Sequence, residues 1–202
     1  MNLAVFLLIF STAAQSGSWR PLFDGKTLSG WKVTDFGGIG TASVEGGTIV
    51  LGTGNPMSGI TWTANAIARS GYELELEAMR VSGSDIFCGL TFPVEDSHCS
   101  LIVGGWGGSI VGLSSLDELD ASENETSIAM QFENHRWYRI RVRVTPDRIR
   151  AWIDEKQVVD AGVKGRKVSV RWEMLDSRPL GIASWQTTSA LRSIRIRNVP
   201  SE

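Results

Sequence analysis

The chain has 202 residues, long enough for one domain with a sizeable core. Its 22 acidic and 20 basic residues leave a formal charge of -2, so bulk charge selects neither nucleic acid nor an anionic membrane as a partner. Eight tryptophans and 22 glycines in a chain that is 42% hydrophobic point to β-structure with aromatic surfaces.

Residues 2–10, N-L-A-V-F-L-L-I-F, precede Ser11, Thr12, Ala13 and Ala14, in the manner of a secretory signal's apolar core and small-residue cleavage zone. No Lys or Arg precedes the run, and an N-terminal strand is the alternative. It is too short to span a bilayer as a standard helix, and no other segment is long enough. The expectation is a signal peptide over 1–18 and a single domain over 19–202. The protein would then be exported, whether periplasmic, secreted or at the cell surface.

Further along, Trp19–Trp31 carries the turn dipeptide Asp24-Gly25 among the apolar anchors Leu22, Phe23, Leu28 and Trp31. Short strand candidates follow at Trp31–Phe36, Ser43–Glu45, Thr48–Leu51 and Ile60–Thr63, with Gly46-Gly47 a hairpin signal. Tyr72–Arg80 alternates Tyr72, Leu74, Leu76 and Ala78 with Glu73, Glu75 and Glu77, which is strand periodicity. Arg136–Val144 repeats the pattern with Arg139, Arg141 and Arg143 opposite in sign, and Arg192–Val199 does so with Arg195 and Arg197. Were these strands neighbours, a Glu/Arg lattice would cover one outer face. The arginines alternate with inward aliphatics and not with exposed aromatics, so a solvated sheet face is a better reading than a nucleic-acid patch.

Between these strands, Phe87–Phe92 and His98–Val103 read as a hairpin across Pro93–Ser97, and Arg148–Asp154 with Gln157–Val159 as another. The hairpin would bring Cys88 and Cys99 onto adjacent strands, where they are either a disulfide or two buried thiols. Leu113–Ala121 and Val168–Leu175 are the only helical candidates. About a dozen short strands predict an all-β sandwich of two antiparallel sheets.

Within Cys99–Thr126, glycine pairs flank Trp106 in G-G-W-G-G, and an acidic loop follows. Trp106 is either a core residue at a tight bend or an open indole suited to stacking on a sugar ring. The loop offers Asp117, Asp120, Glu123 and Glu125 as candidate catalytic carboxylates, since glycoside hydrolysis commonly needs two. A solvated acidic loop and a Ca²⁺ site are alternatives, although no D-x-D-x-D-G spacing supports calcium. Asn124-Glu125-Thr126 is formally a glycosylation sequon. Neither His98 nor His135 stands in a zinc spacing, and no serine-hydrolase elbow, dinucleotide or phosphate loop is present. No metal ligand is assigned.

Leu22–Trp31, L-F-D-G-K-T-L-S-G-W, closely resembles the opening motif of the 3-keto-disaccharide hydrolase domain family. Arg178–Arg197 resembles its closing segment and final R-x-I-x-I strand. The resemblance implies an exported bacterial protein with a concanavalin A-like jelly-roll β-sandwich that acts on, or binds, disaccharide-like sugars. Where many members have an N-S-G-I-F-F-R-like strand, this chain has S-D-I-F-C-G-L. H-C-S-L-I-V-G-G-W stands where they have an E-x-Q-x-x-D-like strand, and Ala183 and Trp185 replace the Gln and His of G-L-Q-x-H. No catalytic residue is therefore carried over. The expectations are a hydrolase using the loop carboxylates with Trp106 as platform, or a lectin-like module in which Trp106 and Trp185 stack and Asn124 binds hydroxyls. No cofactor beyond the calcium option is implied.

Overall fold

A computed structural model describes residues 17–200; the candidate signal run and cleavage zone lie outside them. Among the described residues no helix is long and apolar enough to cross a membrane.

The described residues form fifteen strands in two antiparallel sheets. The first sheet contains β1 (Arg20–Pro21), β3 (Ala42–Glu45), β4 (Thr48–Leu51), β6 (Tyr72–Ser82), β11 (Trp137–Val144), β12 (Arg148–Ile153), β13 (Lys156–Gly162) and β15 (Thr188–Asn198). Its order is β13-β12-β11-β6-β15-β4-β3, with β1 added to β15. The second contains β2 (Trp31–Val33), β5 (Met57–Trp62), β7 (Cys88–Val94), β8 (Ser97–Gly105), β9 (Ile110–Ser114), β10 (Ile128–Ala129) and β14 (Gly181–Trp185), in the order β10-β9-β8-β7-β14-β5-β2. This is the expected jelly-roll sandwich.

Period-two patterning sets the register. Tyr72, Leu74 and Leu76 of β6, Tyr138, Ile140 and Val142 of β11, and Leu191, Ile194 and Ile196 of β15 point inward. There they meet Leu90 and Phe92 of β7, Leu101 and Val103 of β8, and Ile182 of β14. Each such side chain contributes about 2 kcal/mol on burial, against roughly 0.2–1 kcal/mol for a cross-strand charge pair. The aliphatic stripe therefore dictates the pairing, and the charges follow it. The expected lattice results: Glu77 lies between Arg139 and Arg192, Glu75 between Arg141 and Arg195, and Glu73 between Arg143 and Arg197.

In the family-like opening motif, Asp24 Oδ1 accepts from the backbone N–H groups of Lys26 and Thr27, both at 2.7 Å, and thereby closes the turn. The Trp31 indole donates to the Leu22 carbonyl at 2.7 Å and meets Trp62 edge-on at 5.2 Å. Gly30 has φ +83°, and a Cβ there would lie 2.6 Å from Trp62. The motif is thus a structural clasp.

Several expectations change in detail. The β7–β8 hairpin runs on to Val94 and resumes at Ser97, leaving Glu95-Asp96 as the turn. Pro93 is tolerated because β14 pairs with β7 only at residues 89–91, so nothing requires its missing N–H. Leu113–Ala121 is not helical, and Val168–Leu175 contributes only to a 3-10 turn at Trp172–Ser177. The Cys88–Cys99 bridge does not form. Cys88 pairs with Val103 and Cys99 with Phe92, four ladder positions away or about 13 Å, beyond disulfide reach. Both thiols are buried and free, and burial pushes each up to about 12.

Candidate functional site

The two sheets differ in what covers their outer faces. Segment 163–180 crosses the outer face of the second sheet as a strap. Ser115 and Ser169 exchange backbone hydrogen bonds of 2.7 and 3.1 Å, and the Ser97 hydroxyl donates to the Val168 carbonyl at 2.6 Å. At the other end the Thr61 hydroxyl donates to the Asp176 carbonyl at 2.9 Å, while Met174 packs on Met57 and Ala183. Thr91 and Ser100 point to this face and share a 2.8 Å hydrogen bond, fully buried beneath the strap.

Beside the middle of the strap a cleft of about 220 Å³ stays open, lined by Met57, Asp85, Ile86, Ile102, Trp106, Arg171, Glu173, Met174 and Trp185. Trp106 leads the β8–β9 turn with φ +48° and is 41% exposed, so its indole is open and not core. The turn closes with the Gly108 N–H on the Gly105 carbonyl at 3.1 Å, and Gly108 comes so close to Ser84 that a Cβ would lie 2.6 Å from its carbonyl oxygen. Asp85 Oδ2 accepts from the Gly107 N–H at 3.3 Å, and Oδ1 from the Ile86 N–H at 2.8 Å.

Arg171 organises the opposite wall. Its guanidinium donates to both Glu173 oxygens, at 3.2 and 2.9 Å, and to Asp120 Oδ2, and lies 5.8 Å from the Trp106 ring centroid. Burial pushes the Glu173 carboxyl up, but the Arg171 hydrogen bonds prevail and hold it below its usual range. Glu173 in turn pushes Arg171 upward.

The structure brings Trp106 and Trp185 into one cleft. Of the four loop carboxylates, Asp120 alone reaches its wall, through Arg171. Asp117 accepts from the Lys167 N–H at 2.9 Å and from Arg166 Nε at 2.8 Å, and these bonds hold it below its usual value. Glu125 also binds Arg166 and is lowered by it. Such carboxylates are fixed ionised, the reverse of what a general acid requires. Glu123 is exposed. Asn124 is a correction in role: it is buried, donating to the carbonyls of Leu113, Leu119 and Asp120 and accepting from Thr126, so it clasps the loop and presents nothing to a sugar. Its burial also makes the sequon inaccessible. Among the described residues no three His, Cys, Asp or Glu side chains converge on a metal position.

Asp85, Arg171 and Glu173 escaped the sequence reading. Asp85 lies in the S-D-I-F segment that departs from the family pattern, and a local signal existed there. Arg171 and Glu173 sit in a stretch without periodicity, and only the strap's path delivers them.

Two antiparallel sheets packed face to face in this strand order form a concanavalin A-like jelly-roll β-sandwich. The sequence profile of the 3-keto-alpha-glucoside-1,2-lyase-like domain matches residues 18–197, so the chain belongs to that carbohydrate-active domain family. No curated protein matches it by sequence. Solved structures share the fold at low identity. A protein of unknown function with a galectin-like fold from Bacillus subtilis superposes with TM-score 0.63 at 8% identity, covering 93% of this chain and 99% of that one. The Crh5 transglycosylase in complex with NAG has TM-score 0.59 and 11% identity over 94% and 86% of the two chains. The carbohydrate-binding module CBM66 from Bacillus subtilis has TM-score 0.52 and 16% identity over 82% and 93%.

Proposed function

We propose that this protein, exported by its N-terminal segment, binds a disaccharide-like sugar in the cleft between Trp106 and Trp185 without cleaving it. The observation that carries the reading is the convergence of two indoles on one cavity whose remaining walls are apolar Met57, Ile86, Ile102 and Met174 and polar Asp85, Arg171 and Glu173. A pyranose has an apolar C–H face that stacks on indole and hydroxyls that take directed hydrogen bonds, and this lining supplies both. At about 220 Å³ the cleft is smaller than the roughly 300–1,000 Å³ of drug-sized pockets, so it accommodates one ring and leaves a second at the rim.

Binding without cleavage is favoured by the state of the carboxylates. Glu173 and Asp120 are tied to Arg171, while Asp117 and Glu125 are tied to Arg166. Glu173 faces the cleft but is held ionised by Arg171, Asp120 reaches the wall only through Arg171, and Asp117 and Glu125 are not among the lining residues.

The test is titration with trehalose, its 3-keto form and other 3-keto-α-glucosides, following tryptophan fluorescence and sugar products together. The expected result is a saturable fluorescence change with no product, its midpoint moved about tenfold to higher sugar concentration in W106A and in W185A. Product release by the unaltered protein, abolished in D85N, would replace binding with catalysis. Absence of any fluorescence change would refute the site.

A further inference from the structure

We infer that the cleft prefers sugars carrying an ammonium group, with Asp85 as the counter-ion; this rests on the cleft being the sugar site. Three carboxylates, Asp85, Asp120 and Glu173, stand on or against its walls. Arg171 is the single cation among its lining residues and is already shared by two of them. Asp85 differs from the other two: among the described residues its oxygens accept only from the backbone N–H groups of Ile86 and Gly107, and it has no cationic partner. The Gly107 bond is long at 3.3 Å, leaving acceptor capacity on Oδ2. Arg80 approaches from behind Gly108, but it is buried, donates to Asn134 and the Phe132 carbonyl, and lines no part of the cleft.

A ligand ammonium beside Asp85 would gain a charge-assisted hydrogen bond and lie near the electron-rich indole faces of Trp106 and Trp185. A neutral hydroxyl in the same place gains an ordinary hydrogen bond. A ligand carboxylate meets Asp85 with like charge, and an arginine already occupied. The order of affinity is therefore amino sugar, neutral sugar, acidic sugar.

The experiment compares four disaccharides by fluorescence and calorimetry at about pH 6, below the ~7.7 of an ordinary α-amine. These are a glucosamine disaccharide, its N-acetylated form, a glucose disaccharide and a uronic-acid disaccharide. The glucosamine ligand should bind about five- to tenfold more tightly than its N-acetylated form, the difference between charge-assisted and neutral hydrogen bonds. Raising salt should shrink that ratio, and D85N should bring it to about one. Equal binding of charged and acetylated forms would overturn the ammonium preference while leaving the sugar site standing. Tighter binding of the uronic acid would assign selectivity to Arg171 instead. No binding of any of the four would remove the sugar site itself.

Discussion

Tryptophan, arginine and carboxylate side chains gather on the outer sides of both sheets, yet only beside the second are any of them left to offer a ligand. On the first sheet, Glu73 accepts from Arg143 Nε at 2.7 Å and Arg197 Nε at 2.6 Å, and Glu77 from Arg192 at 2.9 and 3.2 Å. Arginines of this lattice also carry the tryptophans: Arg192 lies 4.1 Å from the Trp137 ring centroid, Arg197 4.5 Å from Trp19, and Arg141 4.2 Å from Trp152. Carboxylate, guanidinium and indole are stacked in layers that satisfy one another. On the second sheet the strap covers the face, and beside it Arg171 approaches Trp106 only to 5.8 Å, no described arginine lies over Trp185, and Asp85 has no cationic partner among the described residues. Tryptophan count alone would not separate a ligand platform from a lid over an ion pair; the difference lies in how closely an arginine already covers the ring, 4.1–4.5 Å on the first sheet against 5.8 Å for Trp106.

Mutations on the two faces should therefore separate stability from binding. The largest effect is expected from Glu73→Gln. Its carboxylate is fully buried, and the amide would remove the negative charge that Arg143 and Arg197 bind there, costing about 3 kcal/mol in urea unfolding. Sugar-induced fluorescence of the folded protein should persist. Asn124→Ala removes a buried amide that joins the acidic loop to β9, and should cost about 2–3 kcal/mol by the same measurement. Loss of sugar binding at constant stability would instead return Asn124 to the ligand.

Trp106→Ala should weaken sugar binding about tenfold, or ~1.4 kcal/mol, and barely move unfolding, because the ring is 41% exposed. Trp19→Ala on the opposite face should leave affinity unchanged; equal losses from both would erase the distinction between the faces.

Acid supplies a smaller effect. Arg171 holds Glu173 below its usual 4.5, so the stability this pair lends is fully present above that value and is lost as pH falls through the lower folded value. Cleft fluorescence should thus be flat from about pH 7 to 5 and change only below 4.5. A transition near pH 6 would contradict the pairing. Smallest of all, Arg166→Ala releases Asp117 and Glu125 at an exposed position and should leave sugar affinity within about twofold.

How far the sequence led can be followed residue by residue. Alternation in Tyr72–Arg80, Arg136–Val144 and Arg192–Val199 disclosed three strands, their inward sides and the Glu/Arg lattice, because strand periodicity and charge complementarity are both local and repeated. Glycines around Trp106 disclosed an unusual turn, and the structure decided between core and open ring. The acidic loop misled: five carboxylates in nine residues look like chemistry until Arg166, Lys167 and Arg171, some fifty positions later, fold back onto them.

The sequence by itself determined the sandwich, since aliphatic alternation and turn dipeptides act through short-range geometry that any window of the chain displays. Only the tertiary structure decided the site. The cleft joins Asp85 before β7, Trp106 after β8, Arg171 and Glu173 on the strap, and Trp185 at the end of β14. Which carboxylate keeps a free oxygen there depends on which cation the folded chain brings beside it. That is a property of long-range contacts, and no spacing along the chain records it.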